Sequence, residues 1–218
     1  MNLKRSYLTI AIVMLSCGLC FGESDYENRS SLNIIYGINK NWDFELQEEF
    51  RFNDDGGNLY YQFSDFGLTY KGIADWVELG LNFRKIYEEE DDSHWIEENR
   101  PHFNVTFKGK FHNLDVSDNS RIEYRDREKK EDQWRYRNKF TVKFPVEWTS
   151  LKLRPYVADE IFVDLYGEHI TRNRLFSGFS IKLADNTKFD IFYLWQSSKD
   201  NGGWDDVHAL GTKLTFSF

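Results

Sequence analysis

The chain has 218 residues, with 28 basic and 36 acidic side chains, a formal charge of -8 and 17% aromatic residues. An acidic balance of this size argues against general nucleic-acid binding. Both cysteines, Cys17 and Cys20, lie near the start, so residues 23–218 hold no thiol and neither a disulfide framework nor a cysteine-based metal site is expected there.

The first 22 residues read differently from the rest. Lys4 and Arg5 precede the apolar run Tyr7 to Leu15, and small residues follow up to Gly22. This order predicts a secretory signal peptide over 1–22, with an apolar run too short for a spanning helix. Its removal takes away two bases and no acid, which moves the charge from -8 to -10. Residues 23–218 are then expected to form one exported domain. A barrel remains open as a membrane fold, because its strands carry a weak hydropathy signal.

Beyond residue 40 the dominant period is two, which sets alternate side chains on opposite faces of a strand. In "WDFELQEEFRF", Trp42, Phe44, Leu46, Phe50 and Phe52 share one face, while Asp43, Glu45, Gln47, Glu49 and Arg51 share the other. "VELGLNF", "WRYRNKFTVKF" and "KFDIFYLW" repeat the pattern. Strands are predicted near 31–38, 41–53, 59–71, 75–88, 96–108, 119–127, 132–144, 151–165, 170–183, 187–198 and 207–218. Short connectors (39–40, 72–74, 184–186) alternate with longer polar ones (54–58, 88–94, 127–132, 199–206), the plan of an outer-membrane barrel. Eleven predicted strands sit awkwardly with the usual even number. The expected fold is therefore an antiparallel up-and-down transmembrane β-barrel of about 10 to 12 strands, with 31–38 either outside the wall or matched by one further strand.

The apolar face is assigned to lipid on three grounds. The polar face is densely charged; Trp42, Trp76, Trp134, Trp148 and Trp204 fall near strand ends, where an interfacial girdle needs them; and "HALGTKLTFSF" alternates down to Phe218. That ending resembles the signal on the last strand of bacterial outer-membrane barrels, and implies an encounter with the barrel-assembly machinery. Outer-membrane lipid and lipopolysaccharide are the other expected partners. Glu48, Asp65, Asn138 and Asp159 fall on the apolar face in strict register and fit poorly.

The stretches "SRIEYRDR", "WRYRNKF", "RPYVADEIF" and "TRNRLFSGFSIKL" resemble the outer-membrane barrel family catalogued as domain of unknown function 2490. Its arginine-rich signatures would be carried by Arg121, Glu123, Tyr124 and Arg125; by Arg135, Tyr136 and Arg137; by Pro155, Tyr156 and Glu160; and by Asn173, Arg174 and Gly178. One signature, usually "RxRY", stands here as "WRYR". The resemblance runs over roughly 31–218 and implies fold and location.

On this topology the lumen is lined by Glu45, Glu49, Arg51, Arg121, Glu123, Arg125, Arg135, Arg137, Arg154, Glu160, Arg172 and Arg174. Acids concentrate on the early strands and bases on the later ones. Two arrangements follow: a ladder of ion pairs filling a narrow lumen, or a water-filled, porin-like path in which an acidic wall faces a basic wall and passes small polar or anionic solutes, such as acidic oligosaccharides. The five histidines lie in no catalytic motif, and no phosphate loop or metal-ligand spacing occurs, so no enzyme activity, cofactor or metal is expected. The acidic run Glu88 to Asp92 suits either a solvated loop or hard cations. The competing readings are an outer-membrane barrel hydrolase and a soluble periplasmic barrel holding an apolar ligand.

Overall fold

Residues with alternating polarity can satisfy every backbone group in lipid only by closing a sheet on itself, and that is the architecture found. The computed structural model describes residues 26–91, 94–149, 151–167, 169–200 and 203–218. Segment 1–22, expected to be a signal peptide, and Asp92 lie outside the described residues. Among the described residues eleven strands form one closed barrel: β1 (Tyr26–Asn39), β2 (Trp42–Asn53), β3 (Asn58–Ala74), β4 (Val77–Asp91), β5 (His94–Phe111), β6 (Leu114–Arg127), β7 (Gln133–Lys143), β8 (Arg154–Asp164), β9 (His169–Ala184), β10 (Thr187–Asp200) and β11 (Gly203–Ser217).

Sequence neighbours pair antiparallel, and the eleventh strand closes on the first in parallel, with Tyr26 opposite His208 and Ile35 opposite Ser217. The odd count is thus real. The segment expected near 31–38 is a full wall strand beginning at Tyr26, and parallel pairing resolves the parity. Phe218 extends the seam: its N–H donates to the Ile35 carbonyl (2.9 Å) and its carbonyl accepts from the Gly37 N–H (2.8 Å).

The connections differ from the expected rhythm. Much of the polar sequence assigned to loops continues as paired strand: Glu89 lies opposite Trp95, and Lys199 opposite Trp204. The longest connection, 144–153, lies at the other end of the barrel, beside the turns 40–41, 75–76, 112–113 and 185–186. Charge in these segments marks strands that extend beyond the wall, because the period of two persists through them.

The outer wall is apolar, with Phe66, Leu81, Phe103, Phe107, Ile122, Phe140 and Leu175 exposed. The inner face is buried and charged. This inversion of a soluble protein excludes the apolar-ligand barrel. Asp65, expected outside, points inward. A register shift near Tyr60, where Arg51 faces Tyr61 but Phe52 faces Leu59, changes the phase of β3, so that Tyr61, Phe63 and Asp65 are all buried.

Gly178 is dictated by closeness. A Cβ there would lie 2.4 Å from the Ile191 carbonyl oxygen and 2.6 Å from the Phe192 Cβ, both on the paired strand β10. Gly178→Ala is expected to reduce the fraction of protein that migrates as the compact form on unheated gels. Gly203→Ala, with nothing within 4 Å, is expected to leave it unchanged.

Candidate functional site

Inside the barrel, cross-strand register sets opposite charges face to face: Asp65 opposite Arg84, Glu123 opposite Arg135 and Glu160 opposite Arg174. Glu123 is fully inaccessible. It accepts hydrogen bonds from Arg135 and, at 3.5 Å, from Arg137, with Arg100 at 3.9 Å and Arg121 at 4.0 Å. Glu160 takes Arg137 at 2.5 Å and Arg174 at 3.4 Å. Arg125 grips both oxygens of Glu98 at 2.8 Å, the two-pronged geometry that a planar guanidinium favours, and Arg100 shares that carboxylate. Asp65 accepts from Arg84 (2.7 Å) and lies 2.9 Å from His102.

Aromatic rings complete the layer. Phe162 is 1% exposed, and the guanidinium carbons of Arg135, Arg137, Arg172 and Arg174 lie 4.6–5.6 Å from its ring centre. Arg84 stacks over Phe63 at 3.7 Å, and Arg51 over Tyr61 at 4.0 Å. Such faces stabilise desolvated cations that lack a full complement of carboxylates.

The residues predicted for the lumen fall as follows. Arg121, Glu123, Arg125, Arg135, Arg137, Glu160 and Arg174 join the network just described. Glu49 and Arg51 pair at 2.7 Å. Glu45 accepts from Thr69 toward the short-turn end (2.8 Å). Arg172 donates to Ser198 (2.9 Å). Arg154 stands apart, at the short-turn end, where it pairs with Asp115. The expected separation into an acidic and a basic wall is corrected: Arg29, Arg84 and Arg100 sit on early strands beside Glu27, Asp65 and Glu98. In a closed lumen each buried charge requires an opposite partner within reach, so the signs interleave.

Sequence reasoning missed Arg29, Arg84, Arg100, Asp65, Glu98, His102 and Phe162. Continuing the polar phase of "VELGLNF" by two residues reaches Arg84, and the same alternation in β5 passes through Glu98, Arg100 and His102. No pattern announces Phe162, an aromatic between the inward acids Glu160 and Asp164. Of the acidic run, Glu88 lines the lumen, while Glu90 lies 3.6 Å from Lys129 and 3.9 Å from Lys130. His102 has both ring nitrogens engaged, by Asp65 and Asn104, and His208 faces outward against Tyr193.

The network divides the interior. A chamber of about 570 Å³ opens toward the long-loop end, lined by ten arginines, Lys130 and Lys199 against six acids. Toward the short-turn end lie chambers of about 300 Å³ and 200 Å³. Arg29, Arg51, Arg84, Arg137 and Arg174 line both the 570 Å³ and the 300 Å³ chamber, so their side chains form the partition. Eleven strands enclose more room than an eight-stranded barrel filled by its own side chains, and less than an open porin.

A closed sheet with an apolar, aromatic-bearing outside and a charged inside defines a β-barrel of the outer-membrane type. The chain belongs to the family described as Protein of unknown function (DUF2490), whose model matches residues 30–207. The four arginine-rich stretches supply most of the central network. Among solved structures the barrel is similar to LpxR from Salmonella typhimurium, with a TM-score of 0.52 at 10% identity, covering 85% of this chain and 87% of that one. A search of curated proteins finds no match. The expectation that the chain is not an enzyme is corrected: it rested on the lack of a linear motif, and the fold shared with LpxR gives it no support. Catalytic groups on a barrel wall are assembled by register between strands, so the lack of a linear motif was no ground for excluding them.

Glu123→Gln leaves Arg100, Arg135 and Arg137 facing a neutral group in a buried site. It is expected to cost about 3 to 5 kcal/mol, measured by urea unfolding in micelles or vesicles. Arg172→Gln, which removes no partner of a carboxylate named above, is expected to cost clearly less.

Proposed function

We propose that the protein is an outer-membrane barrel that takes up small anionic solutes, those bearing carboxylate, sulfate or phosphate groups, in the arginine-lined chamber at its long-loop end. The observation that carries this reading is the imbalance of that chamber, twelve bases against six acids. Arg172, whose Nε is held by the neutral Ser198, presents a guanidinium with capacity for an incoming anion. Planar guanidinium groups converging from several strands suit oxyanions, which they bind in pairs of parallel hydrogen bonds.

Orientation follows from the seam. With Phe218 at the short-turn end facing the periplasm, the basic chamber opens to the outside. In this reading residues 1–22 direct export, residues 23–218 form the barrel, outer-membrane lipid and lipopolysaccharide surround its wall, and the barrel-assembly machinery engages the strand ending at Phe218. Passive, porin-like passage of the anion requires the partition of Arg29, Arg51, Arg84, Arg137 and Arg174 to part. The resting barrel is therefore a receptor-like chamber with a closed floor.

Isothermal titration of the detergent-purified protein with inorganic pyrophosphate tests the reading. Saturable binding is expected, weakening as salt rises and lost or sharply reduced in Arg172→Glu. Affinity unchanged in that variant, or no saturable heat, would overturn it. In planar bilayers the parent protein is expected to show no steady porin-sized conductance, whereas Glu123→Gln, which loosens the partition, should raise the frequency of openings.

A further inference from the structure

The 300 Å³ chamber toward the short-turn end differs in make-up from the rest of the lumen. Ten bases line it against three acids, Glu49, Glu160 and Asp190. Arg121 and the five arginines of the partition account for six of those bases, and the other four are Lys139, Lys143, Lys188 and Lys213.

Register sets an acid opposite three of these lysines, and in each case another base has taken it. Lys139 lies opposite Glu160, which is held by Arg137 and Arg174. Lys213 lies opposite Asp190, which pairs with Lys188 at 2.7 Å. Lys143 lies opposite Asp115, which pairs with Arg154 at 2.9 Å. Lys139 rests instead on an aromatic face, its Nζ 3.7 Å from the ring centre of Phe176. Among the described residues, Lys139, Lys143 and Lys213 therefore enter no ion pair of their own, although an enclosed ammonium is costly without one.

The same chamber carries an apolar surface. Tyr156, Phe176, Phe192 and Leu194, on β8 to β10, line it together with Phe63. The Phe176 and Phe192 rings are centred 5.7 Å apart. Phe192 lies over Gly211 of β11, where a Cβ would collide with its ring, so glycine leaves the ring its place against the wall. Guanidinium groups stack on Tyr61, Phe63 and Phe162; among the described residues no cation stacks on Phe192. The way in is the short-turn mouth, where the Lys188 side chain is 40% exposed.

An apolar face with a few convergent charged groups is the general form of a small-molecule site, and this volume falls at the small end of the usual range. It suits a single substituted ring. Ammonium groups are point charges on flexible stems, so several of them adapt to one carboxylate without the fixed geometry that a guanidinium imposes.

We propose that this chamber is a second binding site, for small aromatic carboxylates. The ring packs against Phe192 and Tyr156, and the carboxylate accepts hydrogen bonds from Lys139, Lys143 and Lys213. The site lies across the partition from the outer chamber and requires the closed barrel only, not anion uptake at the long-loop end.

Isothermal titration of the detergent-purified full chain with benzoate tests it, with micelles alone as the blank. Saturable binding is expected. Acetate, which keeps the charge and lacks the ring, is expected to bind about tenfold more weakly, and benzamide, which keeps the ring and lacks the charge, to give no saturable heat. Lys213→Gln should weaken benzoate several-fold. Lys143→Gln, near the mouth, should do the same and serves if Lys213→Gln lacks the compact form on unheated gels. Arg172→Glu, in the outer chamber, should leave benzoate affinity unchanged, so that loss of pyrophosphate binding and loss of benzoate binding report separately on the two sites. No saturable heat with benzoate, equal affinity for benzoate and acetate, or benzoate binding lost in Arg172→Glu and kept in both lysine variants would overturn the second site.

Discussion

The constraint on which the rest of this structure depends is that a sheet in an apolar medium cannot leave an edge unpaired. Ten antiparallel connections bring β11 back beside β1 running in the same direction, and the seam closes by ten parallel pairings from Tyr26 with His208 to Ile35 with Ser217. Parallel closure fixes more than the strand count. It brings both β1 and β11 from the long-loop end to the short-turn end, and it phases β1 so that Glu27 and Arg29 turn inward. Arg29 then reaches Gln196 of β10 (3.3 Å), which also holds Arg174 (2.7 Å).

Closure creates the second problem, an interior too narrow for bulk water and too wide for aliphatic packing. The chain fills it with long, polar side chains whose charges neutralise one another. A buried carboxylate surrounded by arginines, as at Glu123, is tolerable only while its partners stay in place. Phe162 and Phe63 supply flat, polarisable surfaces for guanidinium groups that no carboxylate fully satisfies. The same arrangement explains the spare positive charge at the long-loop end. Where strands run past the wall, acids such as Glu90 are drawn to the lysines of the 128–132 connection, and the arginines below face the chamber.

The outside of the barrel obeys the opposite rule, and its exceptions carry information. An apolar wall needs no residue-specific account, since any large aliphatic or aromatic side chain serves in lipid. The polar side chains of the wall are satisfied across strands: Ser64 donates to Glu48, Asn99 to Asp126, Asn138 to Asp118 and Asn173 to Asp159, and Lys85 pairs with Glu97.

The sequence by itself determined the period of two, the assignment of nearly every strand and the inward set of charges, because in a strand the side-chain direction follows from parity alone. Arg121, Glu123, Arg125, Arg135, Arg137, Glu160 and Arg174 were all legible in this way. Parity fails where a strand changes phase, so the shift at Tyr60 hid the inward placement of Asp65, and it says nothing of pairing direction, so the parallel seam was invisible. Which charge meets which is set by register between strands distant in sequence, and register is a property of the closed sheet. For that reason the interleaving of acids and bases, the partition between chambers and the alignment of Asn138 and Asp159 with their neighbours were decided only by the tertiary structure.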